Sequence, residues 1–139
     1  MERFSHIFSC YVLILGIMLV ILSVVECIIP AKSYSFWKKW INHPLYPLHG
    51  IILMVGGLPL TFFRDGISGK IMMGIGIFIV ITGPFIFLFP GRMREFFTTT
   101  ESEIGEEDRP HLVYFDAVMR GFSGFLFLYV MYQYRHLFQ

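Results

Sequence analysis

The chain is 139 residues long, 55% hydrophobic and only 15% charged, with a formal net charge of +1 and a mean hydropathy of +0.65. Soluble domains are about 45–50% apolar and about 25% charged, so this composition excludes an ordinary soluble domain, and the balanced charge leaves no footprint for nucleic acid. Most of the charges fall between four apolar stretches, 7–29, 45–63, 69–89 and 112–133, and roughly 20 residues at about 1.5 Å each cross a hydrocarbon core of roughly 30 Å. These lengths predict an all-α membrane protein with four transmembrane helices in one domain, 1–139, and no room for a separate soluble catalytic domain.

The first stretch reads as a retained span, not a cleaved signal peptide. Its apolar run exceeds the usual 7–15 residues and no A-x-A site follows. Cys10 and Cys27 sit near opposite ends of it, about 25 Å apart at 1.5 Å per residue, which is beyond disulfide reach. Both are expected as small buried hydrophobes. Pro30 ends the span. In the segment 33–42, Phe36, Trp37, Trp40 and Ile41 share one helical face with Lys38 and Lys39 beside it, which predicts an amphipathic helix in the headgroup plane. His43-Pro44-Leu45-Tyr46-Pro47 leads into the second span, where Gly56-Gly57 and Pro59 are able to unwind it.

Arg64-Asp65-Gly66 and Ser68-Gly69-Lys70 predict a tight polar turn before the third span, which Pro90-Gly91 ends. The acidic loop 98–110 carries Glu101, Glu103, Glu106, Glu107 and Asp108, and is either a solvated loop or a docking surface for a basic partner. Within it Thr100-Glu101-Ser102-Glu103 has capping-box spacing and predicts the start of a short helix. Arg109-Pro110 introduces the fourth span. Trp37, Trp40, Tyr46, Phe96, Phe97, Tyr114, Tyr132 and Tyr134 gather at span ends as an interfacial belt.

The chain also lines up with itself at an offset of 60 residues. Gly16-Ile17, Val20-Ile21, Pro30 and Phe36 fall on Gly76-Ile77, Val80-Ile81, Pro90 and Phe96, and Lys32 falls on Arg92. This predicts two tandem hairpins, 7–63 and 69–133, related by a pseudo-twofold axis along the membrane normal. Ser9, Gly16 and Ser23 recur every seven residues, as do Gly69, Gly76 and Gly83. Small residues let backbones approach in lipid, so spans one and three are expected to pack through these stripes. Lys32, Lys38, Lys39, Arg92, Arg94 and Arg109 lie on the hairpin-loop side, against Arg3, Arg64, Lys70 and Arg135 opposite. The positive-inside rule then puts the hairpin loops in the cytoplasm and the termini outside.

Several of these residues resemble the YjeT-like family of small inner-membrane proteins. They are Glu26 to Pro30, Phe36-Trp37-Lys38-Lys39-Trp40-Ile41 and the glycines from Gly50 to Gly57 in the first half. In the second half they are Gly83-Pro84, Phe89-Pro90 and Arg120-Gly121-Phe122-Ser123-Gly124. That family's pattern is E-G-x-x-P, a tryptophan-lysine pair, and a second helix opening with Arg-x-x-Gly. The resemblance implies a two-helix unit written twice, and no activity, since none is established for the family. The chain departs from the pattern where Ile86 stands opposite Glu26, Phe96-Phe97 opposite the tryptophans, and Leu53 opposite Arg120.

Four ionisable groups fall inside the spans: Glu26, His49, Asp116 and Arg120. Each is costly at membrane depth and therefore a candidate site. All four are expected near the hairpin-loop face, with Asp116 and Arg120 paired at i, i+4 and Glu26 as the second partner of Arg120. The cluster is either a self-satisfying structural group or a quinone, lipid-headgroup or proton site. One histidine with two carboxylates is a poor metal set. His6, His43, His111 and His136 stand at span ends or in loops, which does not suit haem, so no cofactor and no metal are expected. The eight methionines and sixteen phenylalanines serve as core and lipid-facing filler, or line a pigment or quinone cleft.

With no nucleophile, metal motif or phosphate loop, the expected function is not enzymatic. It is that of an accessory subunit of a larger integral-membrane complex of respiratory or photosynthetic electron transfer, with other membrane subunits and lipids as partners and no nucleic acid. The alternatives are a small oligomeric transporter or channel component, and a membrane enzyme built on the four ionisable residues.

Overall fold

The computed structural model describes residues 2–137, with side chains over 7–133; the side chains of Arg3, His6, Tyr134, Arg135 and His136 lie outside the described residues. Six α-helices follow in order: α1 Glu2–Ile28, α2 Pro30–Asn42, α3 Tyr46–Gly57, α4 Gly66–Leu88, α5 Pro90–Glu103 and α6 Arg109–Leu137. A 3-10 segment, Leu58–Phe62, continues α3, and there is no strand among the described residues. Three helices, α1, α4 and α6, are long and apolar enough to cross a membrane. The segment Tyr46–Phe62 makes a fourth only when taken together with α2, to which it is bent by 102°.

Proline sets the breaks. Pro30 and Pro90 have no N–H to extend the helix before them, yet each suits the first position of the next. The linking residues take nearly the same backbone: Ile29 at φ −129°, ψ 56° and Phe89 at φ −127°, ψ 49°. Pro84 lies inside α4 without ending it. Gly66 opens α4 at φ +67°, a left-handed conformation that glycine adopts without a Cβ penalty.

Several expected boundaries move. The interfacial helix begins at Pro30, not at residue 33, because proline itself opens it. The second span changes to 3-10 geometry at Leu58, where Pro59 has no N–H to offer. Ser68-Gly69-Lys70 is helical, so the polar turn is confined to the residues before Gly66. The stretch 98–103 is helix, not loop, and Thr100-Glu101-Ser102-Glu103 ends α5 where it was expected to start a helix. The reason is local. The hydroxyls of Thr98 and Thr100 donate back to the carbonyls of Arg94 and Phe96 and so follow the helix instead of capping one. The fourth span starts at Arg109, not at residue 112. Cys10 and Cys27 are exposed on the outer surface of α1, not buried, because the inward face is occupied by Val12, Gly16 and Glu26.

The helices pack as two tight pairs. α1 lies along α6, and α3 with its 3-10 tail lies along α4. Each small-residue stripe therefore meets a helix other than the one expected, since α1 and α4 do not form a close pair. A methyl placed on Gly16 would stand 3.2 Å from the Gly124 carbonyl oxygen, and one on Gly76 would stand 3.0 Å from that of Gly57. Ser23 faces Gly121, and Gly83 faces Gly50 and Met54. Gly69 lies against the Phe63–Arg64 backbone of the turn and belongs to no seam; Ser9 is half-buried. The two pairs join through a core of Val12, Leu60, Met72, Phe127 and Val130, all at most 1% exposed, at the end away from Pro30 and Pro90. The Tyr11 hydroxyl adds a 2.6 Å hydrogen bond to the Gly56 carbonyl, next to the point where α3 leaves α-helical geometry.

Candidate functional site

Three of the four intramembrane ionisable groups meet. Glu26 is two residues before the end of α1, and it faces α6 because the α1 stripe of Gly16 and Ser23 lies on that side. Arg120 Nη1 stands 3.1 Å from Glu26 Oε1, and Nη2 stands 2.6 Å from Asp116 Oδ2 on the same helix. Trp37 on α2 donates its Nε1–H to the same Glu26 Oε1 at 3.3 Å, and its ring lies under the guanidinium, 5.7 Å from centroid to Cζ. Glu26 is 4% exposed, whereas the Arg120 and Asp116 side chains are 33% and 37% exposed. Among the described residues Glu26 Oε2 has no hydrogen-bond partner. A buried acid is thus held by one guanidinium and one indole, with the surplus carboxylate, Asp116, at the accessible rim. Arg120 thereby offsets the charge of the buried acid, which would be costly alone at lipid depth.

His49 is not part of that cluster. Its ring stacks on Tyr46 at 6.2 Å and meets Trp40 edge-on at 6.0 Å, 84° between planes. Neither ring nitrogen makes a hydrogen bond among the described residues. It borders a cavity of about 180 Å³ whose walls are Phe36, Trp37, Trp40, Tyr46 and Ile86, with Ile41. Sequence reasoning placed Trp37 and Trp40 on an interfacial face with Phe36, Lys38 and Lys39. Only Phe36, Lys38 and Lys39 are exposed; the indoles turn inward, one to Glu26 and one to His49. The inward roles of the tryptophans, and the Tyr11 cross-link, were missed. Their only signal in the sequence is that indole and phenol groups carry a polar atom that seeks a partner when buried.

A second polar group ties α2 to α5 and α6. Lys38 Nζ donates to Glu101 Oε1 at 2.7 Å, and Arg109 stands 3.9 Å from the same oxygen and 3.4 Å from Glu106. Arg94 donates to the carbonyls of Ile41 and His43, and Tyr34 stacks on Phe97 at 6.0 Å. The Lys38 hydrogen bond, aided by the charges of Lys38 and Arg109, holds the Glu101 carboxyl below its ordinary 4.5 despite the opposing effect of burial. A lowered native value means that the stabilisation is complete above the unfolded value of about 4.5 and fades as pH falls through the native one. Lys38→Met should therefore flatten the acid side of the stability–pH curve. Thermal unfolding in detergent across that range checks it, and an unchanged acid limb would show that the contact contributes nothing.

No group of three or more His, Cys, Asp or Glu able to hold a metal ion occurs among the described residues. No protein-family model, no curated protein and no solved structure matches the chain.

Proposed function

We propose that the chain is a non-catalytic accessory subunit of a larger integral-membrane complex of respiratory or photosynthetic electron transfer, in a bacterial inner membrane. The carrying observation is the outward face of α6. Phe115, Phe122 and Phe125 are 69%, 61% and 64% exposed there, with Val118, Met119 and Tyr129 between them. Aromatic rings give large contact area for little lost rotamer entropy, which suits a surface covered by other membrane polypeptides. Arg120 engages both carboxylates at that depth, which leaves the helix surfaces as the means of interaction. Purification from native membranes in mild detergent is the test. Co-migration with a larger complex is expected, and isolation as a stable monomer with its own catalytic activity would overturn the reading.

A second reading is a small oligomeric transporter or channel component. The observation in its favour is the interrupted second segment, where α3 gives way to 3-10 geometry at Leu58. A homo-oligomer of this chain alone in the same purification would favour it.

We further infer that the architecture is two tandem hairpins related by a pseudo-twofold axis along the membrane normal, each hairpin being similar to the YjeT-like two-helix unit. The matched backbones at Ile29 and Phe89 support this. So does the packing. With Leu53 aligned on Arg120, the Gly16–Gly124 contact corresponds to Gly76–Gly57, and buried Val12 and Phe127 correspond to buried Met72 and Leu60. An experimental structure should superpose 7–63 on 69–133 by a rotation near a half turn; unrelated helix angles would sink the idea. The excess of lysine and arginine on the hairpin-loop side supports a cytoplasmic position for those loops. Labelling of a Lys39→Cys variant by an impermeant thiol reagent in intact cells would reverse that orientation.

A further inference from the structure

We propose that the cleft between α2, α3 and α4 binds the head ring of a lipid-soluble quinone, with the His49 imidazole donating a hydrogen bond to a ring carbonyl. The cleft combines three properties. Its volume of about 180 Å³ suits a single ring and not a large ligand. Its walls are mostly rings, those of Phe36, Trp37, Trp40, Tyr46 and His49, so a planar guest meets aromatic surface. Its lining holds one hydrogen-bonding imidazole with no partner among the described residues, in an otherwise largely apolar surface, which is the usual composition of a small-molecule site.

The lining has no charged side chain, and the guanidiniums behind it are already engaged, Arg120 by Glu26 and Asp116 and Arg94 by the Ile41 and His43 carbonyls, so a phosphate or ammonium headgroup finds no counter-ion in it. An acyl chain would leave the imidazole unsatisfied. A quinone satisfies both demands, with an apolar body and a carbonyl acceptor. The position agrees as well. The cleft sits under the amphipathic helix α2, at the level where a molecule with an apolar tail and a polar ring comes to rest in a bilayer. Ile86 lines it where the other half of the chain carries Glu26, and this keeps the floor uncharged. The inference goes beyond the subunit reading, since this chain supplies every wall.

The chain has only two tryptophans, Trp37 and Trp40, and both line the cleft. Intrinsic fluorescence is therefore a local probe. The whole chain in phosphatidylcholine nanodiscs is titrated with a decyl-substituted benzoquinone. Saturable quenching is expected, with apparent affinity weakened roughly fivefold by His49→Leu, the worth of one hydrogen bond. Ile86→Phe should abolish saturation by filling the cavity, and Ile67→Ala, at the far end of α4, should leave the curve unchanged. Should His49→Leu lose its helical circular dichroism, Ile86→Phe decides. Linear, unsaturable quenching of the native chain overturns the proposal. So does saturation that is the same in the His49 and Ile86 variants, which would mean that lipid holds the cleft or that the quinone acts from the bilayer. None of these outcomes bears on co-migration with a complex, so the two readings fail separately.

Discussion

Replacing Gly83 by leucine will separate α3 from α4 and leave little folded protein. A methyl at Gly83 runs into the Met54 side chain and comes within 2.5 Å of the Gly50 carbonyl oxygen. The second obstacle is backbone, which cannot rotate away as a flexible side chain can. Overpacking typically costs about 1–3 kcal/mol, and more where the structure cannot relax. In lipid the loss is not offset by hydrophobic association, because helix pairs there are held by close packing and hydrogen bonds. The cost should therefore reach or exceed the upper end of that range. Gly74→Leu is the internal control. Nothing lies within 4 Å of a methyl at Gly74, so leucine there meets open surface and gains helix propensity. Folded yield and resistance to denaturing detergent measure both. Equal losses at the two glycines would mean that the α3–α4 seam does not hold the fold.

Arg120→Met should cost about 3 kcal/mol, the range seen when one partner of a buried ion pair is removed. The loss comes from what is left behind. Glu26 would keep a carboxylate that is 4% exposed, with only the Trp37 indole as donor. Asp116 would suffer less, since its side chain is 37% exposed and can be solvated. The double variant Glu26→Met, Arg120→Met should recover most of the stability, because replacing both partners by apolar groups removes the stranded charge as well as the attraction. Equilibrium unfolding of the four chains of the cycle gives the coupling. A neutral Arg120→Met would show that Glu26 is satisfied without the guanidinium.

Much of the architecture was legible in the sequence because the bilayer is a severe constraint. Apolar length and proline punctuation locate α1, α4 and the breaks before α2 and α5, and the i, i+4 spacing of Asp116 and Arg120 gives their pairing without any tertiary information. The small-residue stripes were legible as well, because only residues without bulk recur at that spacing. Their partners were not. A stripe states that some backbone comes close, and the pairing of α1 with α6 and α3 with α4 depends on how four helices share one surface. The candidate site divides in the same way. Sequence depth alone put His49 beside Glu26 and Arg120, since all three lie near one end of their spans. Rotation about the helix axes is set by the Gly50–Gly83 and Gly16–Gly124 contacts, and it turns His49 toward Trp40 of α2 instead, on the side where Tyr46 lies one turn away. Sequence by itself determined how far along its helix each residue lies, because rise per residue is fixed. Tertiary packing alone decided which of them face one another, because azimuth in a membrane bundle is set by the closest backbone contact and not by composition.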